Sequence, residues 1–161
     1  MIDFKEKSPR LLVIGDLMVD HYLWGSCERI SPEAPVQIIN VSNESKVLGG
    51  AGNVINNLYV LGAKVDVISV IGDCEISNEL VALLSDIKVS NKYLVTQKDR
   101  ITSKKSRIIA SQQQVVRYDR ESTDEMSPES KQKIITIFTQ IIANYDSVLL
   151  SDYGKGVLTK D

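Results

Sequence analysis

The sequence predicts an α/β fold, a mostly parallel sheet covered on both faces by helices, with a small β-clasp inserted after the first strand. Three observations predict it. Largely apolar runs at Leu11–Ile14, Val65–Ile71 and Val148–Leu150 each stop at a Gly-Asp or Ser-Asp pair. Continuous apolar runs of that length suit strands buried on both faces. Segments with helical spacing of apolar residues alternate with these runs, which calls for parallel strands joined by crossover helices.

Leu11–Ile14 is the first strand, ended by Gly15-Asp16. From Tyr22 to Val41 the pattern changes. Tyr22, Trp24, Val36, Ile38 and Val41 lie in two extended segments joined by Ser31-Pro32-Glu33-Ala34-Pro35, a connection stiffened by proline. An excursion placed directly after a core strand reads as a lid, or clasp, over residues 22–41. Leu48-Gly49-Gly50-Ala51-Gly52-Asn53 then leads into Val54, Ile55, Leu58 and Leu61, with Gly62 as C-cap. Val65–Ile71 is a strand, Glu75–Leu84 a helix, and Val89–Val95 and Arg107–Tyr118 are extended. Ser127-Pro128-Glu129 starts a helix running to about Ala143, with serine at the cap and proline in the first turn. Val148–Leu150 is the last strand. Nothing divides the chain, so residues 1–161 read as one unit.

Composition narrows the function. The chain has 161 residues, 43% hydrophobic and 25% charged, with a formal net charge of -2 and 6% aromatics. That charge gives no general attraction to nucleic acid or an anionic membrane, and the sparse aromatics argue against a base-stacking platform. No apolar run approaches the ~20 residues that span a bilayer. Met1–Arg10 is charged and lacks the apolar segment of a secretory signal. A cytoplasmic protein with reduced thiols is expected. Cys27, Cys74 and His21 are its only cysteines and histidine, too few for a structural zinc site, and no metal site is expected.

In parallel sheets, ligands bind beyond the carboxyl ends of the strands. Asp16, Asp73 and Asp152 all fall there. Asp16 reads equally as a sugar ligand and as a residue stabilising a turn. Asp20 shares a side with Tyr22 and Trp24 if the segment is extended, and a carboxylate beside aromatic faces suits a carbohydrate. The competing reading is a clasp strand packed against another subunit. Gly49, Gly50 and Asn53 precede a helix, where small residues admit a ligand to free backbone N–H groups. A tight turn capped by Asn53 explains them too. Lys105 and Arg107 point to one face of an extended segment, making either a phosphate site or a solvated edge. Gln112–Gln114 and Arg117 read as a polar loop. Asp152 can meet substrate or a metal-bound phosphate, and Lys155 can balance phosphate charge, while two glycines beside them favour a plain turn. His21 receives no catalytic role.

Four segments carry a resemblance: Gly15-Asp16-Leu17-Met18-Val19-Asp20, Arg29–Val36, Gly49–Val54 and Leu149–Gly156. Together they resemble the ribokinase (PfkB) family of sugar kinases. Within it they look like the kinase domain of the bacterial bifunctional ADP-heptose synthesis proteins. Arg29–Val36 is the most specific segment, because generic ribokinases do not share it. The resemblance runs from Leu11 to the end of the chain and covers the first half of the family's kinase domain.

The resemblance implies the N-terminal half of a three-layer ribokinase-like fold. It also implies transfer of phosphate from ATP, with Mg2+, to the anomeric hydroxyl of D-glycero-D-manno-heptose 7-phosphate. The product feeds ADP-heptose synthesis for the lipopolysaccharide core. Asp16, Asp20, Gly49, Gly50 and Asn53 fall where the family holds the sugar, and Lys105 and Arg107 in the segment expected at the 7-phosphate. The clasp would cover the sugar and pair two subunits as a homodimer. The family's Gly-Ala-Gly-Asp motif, with its general-base aspartate, does not occur in these residues. Gly50-Ala51-Gly52-Asn53 is a near-anagram in another place, and an amide cannot take a proton. The nucleotide site is not expected within this chain, which alone should not turn over. The alternative is a non-catalytic sugar-phosphate-binding or dimerisation module. Half a sheet would also leave an exposed edge.

Overall fold

A computed structural model describes residues 8–159, and the first apolar run lies at the centre of its main sheet. Strand β1 (Arg10–Gly15) is flanked by β4 (Lys64–Gly72) and β8 (Ser147–Ser151), with β5 (Leu94–Gln97) outside β4; every pairing is parallel. Alternation along β1 explains why its sequence is apolar throughout. Val13 packs with Val67 and Ile71 against helices α1 (Ala51–Val60) and α2 (Glu75–Asp86). Leu12 and Ile14 pack with Ile68 and Val70 against α3 (Pro128–Ile141) on the other face. The result is three layers, helix on sheet on helix. At one end of the sheet, β8 is a terminal strand and exposes Leu150.

The clasp is larger than residues 22–41. Strand β2 (Leu17–Ile30) starts one residue after β1 and pairs antiparallel with β3 (Gln37–Gly50). Strand β6 (Ser103–Ala110) adds in parallel to β2, and β7 (Gln113–Arg120) pairs antiparallel with β6. The second sheet thus has the order β3-β2-β6-β7. Gly49 and Gly50, expected as turn residues, are the last residues of β3. Much of β3 and all of β7 is exposed, so neither shows the apolar pattern that marks a half-buried strand.

Two other boundaries differ. Of Val89–Val95 only the end is strand. Lys88 takes a positive φ of 59° and turns the end of α2, and Val89 N–H donates to Leu84 O at 2.9 Å. Arg107–Tyr118 is not one extended segment but a hairpin, turning at Ser111 and Gln112 with φ of 50° and 65°. A two-residue turn with both residues left-handed usually carries Asn-Gly. Ser-Gln gives no such signal. The start of α3 is as expected: Ser127 Oγ accepts from Ser130 N–H at 3.2 Å, and Pro128 opens the helix. Among the described residues, no helix is long and apolar enough to cross a membrane.

Glu79 ties helix α2, which packs on the main sheet, to the clasp sheet. It accepts from Lys46 of β3 at 2.9 Å and from Lys104 of β6 at 3.0 Å. Burial opposes its ionisation, but the two ammonium groups outweigh that and hold its carboxyl below the usual value. A carboxylate lowered on folding stabilises the fold above its unfolded pKa, and that contribution fades as pH falls through the folded value. Glu79→Gln should therefore cost about 1 kcal/mol at pH 7. The difference from wild type should shrink below pH 4.5, the ordinary value for this group. Urea titrations at pH 7 and pH 3 check both parts.

Candidate functional site

The carboxyl ends of the parallel strands meet the base of the clasp, and Asp16 lies at that junction. It is the single residue between β1 and β2 and is 1% exposed. Its carboxylate accepts backbone N–H groups from Tyr153 at 2.8 Å, Lys155 at 3.1 Å and Val157 at 3.2 Å. Its own carbonyl receives Ala51 N–H at 2.9 Å. Arg100, also buried, donates to the carbonyls of Lys155 and Asp124. Asp16 and Arg100 thus shape the 153–157 loop, one through its amides and the other through a carbonyl. Of the two readings of Asp16, this geometry supplies the turn-stabilising one.

Asp20 faces outward on β2. Alternation along the strand puts Tyr22 and Trp24 on the same side, stacked with ring centroids 5.5 Å apart and 17° between planes. Arg107, opposite Tyr22 on β6, donates to Asp20 Oδ1 at 2.6 Å and lies 5.2 Å from the Tyr22 ring centroid. Gly49 makes room for this carboxylate, since a Cβ there would sit 2.4 Å from Asp20 Oδ2. At Gly50 φ is 56° and a Cβ would meet Asp16 O at 2.5 Å, so both the conformation and the space call for glycine. Asn53 is exposed in the first turn of α1. It does not cap the helix; that position is Gly50, with no side-chain hydrogen bond.

A line of charges continues across the same face. Lys105, opposite Asp20, donates to Asp119 Oδ2 at 3.1 Å, and its Nζ lies 3.7 Å from Glu121 Oε2. Lys155 from the loop after β8 donates to Glu121 Oε1 at 2.7 Å. Arg117 holds Asp119 with two bonds, at 2.9 and 2.6 Å. That guanidinium, helped by Lys105, keeps the Asp119 carboxyl far below the usual carboxylate range. The expected basic patch is therefore real in position but paired. The sequence reading missed Arg117, Asp119 and Glu121, taking the first as part of a polar loop. Their spacing of two, on a strand, was the available signal.

Other expected residues lie apart. Asp152 is exposed, and its carboxylate accepts Gly154 N–H at 2.8 Å, an Asx turn. Asp73 lines a separate cavity of about 290 Å³ with Cys74, Ser77 and Asn91, so the three strand-end aspartates do not converge. His21 points to the opposite face of the clasp, its Nδ1 3.3 Å from Ser106 Oγ. Cys27 and Cys74 are free. Asp20, Asp119 and Glu121 are each tied to a cation. Among the described residues no three His, Cys, Asp or Glu side chains gather closely enough for a metal ion.

Residues 8–159 match the family described as pfkB family carbohydrate kinase. The chain belongs to the pfkB family. Among curated pfkB relatives, the bifunctional protein HldE of Aliarcobacter butzleri is 65% identical over 153 residues, 95% of this chain and 32% of that protein. HldE of Sulfurimonas denitrificans is 59% identical over 157 residues, 98% of this chain and 33% of that protein. The chain spans about a third of the length of these relatives. Solved structures share the pfkB fold. A carbohydrate kinase from Agrobacterium tumefaciens superposes with a TM-score of 0.64 at 22% identity, covering 88% of this chain and 45% of that one. Arabidopsis thaliana ribokinase complexed with ribose and ATP gives 0.59 at 17% identity, covering 89% and 45%. The expected family and the expected ribokinase-like fold both hold.

Proposed function

We propose that this chain is the sugar-phosphate-recognising part of an ATP-dependent kinase acting on the anomeric hydroxyl of D-glycero-D-manno-heptose 7-phosphate, in ADP-heptose synthesis. One observation carries the reading. Asp20, fixed by Arg107 and Gly49, stands beside the stacked Tyr22–Trp24 pair at the carboxyl end of a parallel sheet. A fixed carboxylate can accept from two adjacent hydroxyls while an aromatic face covers the C–H side of a sugar ring. The similarity to two HldE proteins along nearly the whole chain supports a heptose as that sugar.

In this reading Asp20 accepts from the sugar. Gly49, Gly50 and Asn53 bring backbone and amide donors to it. Lys105 and Arg107 face its phosphate end, while Asp16 and Asp152 shape the loop that carries Lys155. ATP would supply the phosphoryl group and Mg2+ would balance its charge; no residue of this chain is assigned to either. The opposite face of the clasp exposes Val116 and Tyr118 on β7, next to Leu23 and Ile108, which supports pairing of two clasps in a homodimer. A phosphorylated sugar as ligand supports a cytoplasmic location.

Calorimetric titration of the chain with heptose 7-phosphate tests the reading, alongside an ATP-turnover assay. Saturable binding without turnover is expected. Absence of binding overturns the reading. Turnover overturns the expectation that these residues alone do not transfer phosphate.

A further inference from the structure

Every charge on the site face has an opposite partner, and the partners are unequal. Lys105 and Lys155 are 15% and 16% exposed, so neither ammonium is freely hydrated. Asp119 is gripped by the Arg117 fork, whatever Lys105 does. Glu121 has no such second support. Its Oε1 takes Lys155, and its buried Oε2 receives no hydrogen bond, with Lys105 3.7 Å away. Glu121 therefore bridges two lysines and depends on both for its compensation.

Lysine is a point charge on a flexible stem, so an ammonium can change partners by side-chain torsions alone. Lys155 and Lys105 already converge on one carboxylate, and Arg107 stands two pairs along the β2–β6 ladder from Lys105, on the same face. We propose that Glu121, with Asp119, is the resident counter-anion of this subsite, displaced from the two lysines by the phosphate of a sugar phosphate, so that it keeps the empty site compensated and tempers the affinity for the phosphorylated sugar. The proposal rests on the sugar-phosphate reading above. A phosphate carries close to two charges and three acceptor oxygens at pH 7, so it can out-compete a carboxylate for both lysines. A hydroxyl cannot, and a neutral sugar finds the cations occupied. Once the lysines move, Asp119 keeps Arg117 but Glu121 is left facing the phosphate. The resident carboxylate thus lowers affinity for the phosphorylated sugar while leaving that for a neutral sugar unchanged, and most of that penalty belongs to Glu121.

The test is calorimetric titration of the chain and its Glu121→Gln and Asp119→Asn variants. The probes are D-glycero-D-manno-heptose 7-phosphate and the same heptose without phosphate. Expected is a gain of roughly tenfold or more in affinity for the phosphorylated sugar in Glu121→Gln, a smaller gain in Asp119→Asn, and no change for the free heptose. Unchanged or weaker binding of the phosphorylated sugar in Glu121→Gln, with the melting temperature kept, means that the carboxylate positions the lysines. That result overturns the proposal and leaves the proposed function standing. If Glu121→Gln fails to fold, Asp119→Asn decides by the same sign. No preference of the wild-type chain for the phosphorylated sugar overturns the proposed phosphate end, and this inference with it.

Discussion

Replacing Asp20 with asparagine is expected to weaken sugar binding by roughly a hundredfold, the size of one charged hydrogen bond lost together with part of a second. The amide keeps the shape of the carboxylate but offers one acceptor where the sugar needs two. It also removes the partner of Arg107, whose 2.6 Å bond now fixes the carboxylate against the Gly49 backbone. An uncompensated guanidinium beside the Tyr22 ring would then be free to swing into the space above the stacked pair. The effect should be confined to the ligand. Asp20 and Arg107 are about one-fifth exposed, so the fold should lose no more than about 1 kcal/mol. Titration calorimetry with heptose 7-phosphate, paired with a thermal melt, separates the two. Wild-type affinity in this variant would remove Asp20 from the site.

Changing Gly15 to alanine should act in the opposite way, sparing no part of the fold. A Cβ on Gly15 would lie 2.1 Å from the carbonyl oxygen of Ser151, its partner in the β1–β8 ladder. That oxygen also accepts from Asp16 N–H at 3.1 Å. Both atoms are backbone, so the clash is relieved only by spreading β1 from β8, which breaks the ladder where Asp16 organises the 153–157 loop. A loss of about 3 kcal/mol or more is expected, a fall of about 6–12 °C in melting temperature for a chain of this size. Differential scanning calorimetry measures it. At Gly49 the same change would meet the side chains of Asp20 and Met18 rather than backbone, and the fold should tolerate it better.

The main sheet was legible because its central strands, β1 and β4, are buried on both faces for most of their length. Leu12 and Val13 are fully buried, and no other structure explains so dense an apolar run ended by Gly-Asp. The cap at Ser127 was legible because capping is local. The clasp was half legible. Tyr22 and Trp24 announced β2, but β7 is exposed along its whole length and carries no burial pattern. The hairpin turn at Ser111-Gln112 uses residues that do not advertise a left-handed backbone. That Asp20, Lys105 and Arg107 share one face was legible because strand alternation puts each on a definite side. What alternation within one strand cannot show is which strand lies next door. The pairing of Lys105 with Asp119 and the bridging by Glu121 follow only from the β6–β7 register and from a loop that arrives after β8.

The strand order also dictates when each part of the molecule can be completed during synthesis. The β2–β3 hairpin joins neighbouring segments and can close as soon as Gly50 has left the ribosome. The β1–β8 ladder begins at Leu11 and Ser147, and beside it Arg10 N–H donates to the Asp146 carboxylate across a separation of 136. Closing so long a loop is slow, and one side of β1 stays unpaired until Ser147–Ser151 has been made. Among the described residues, the first strand, β1, is therefore sealed only by the eighth, and the clasp stands formed beside an unfinished sheet. In such a chain the apolar stretch from Leu11 to Ile14 is the segment most in need of protection before folding ends.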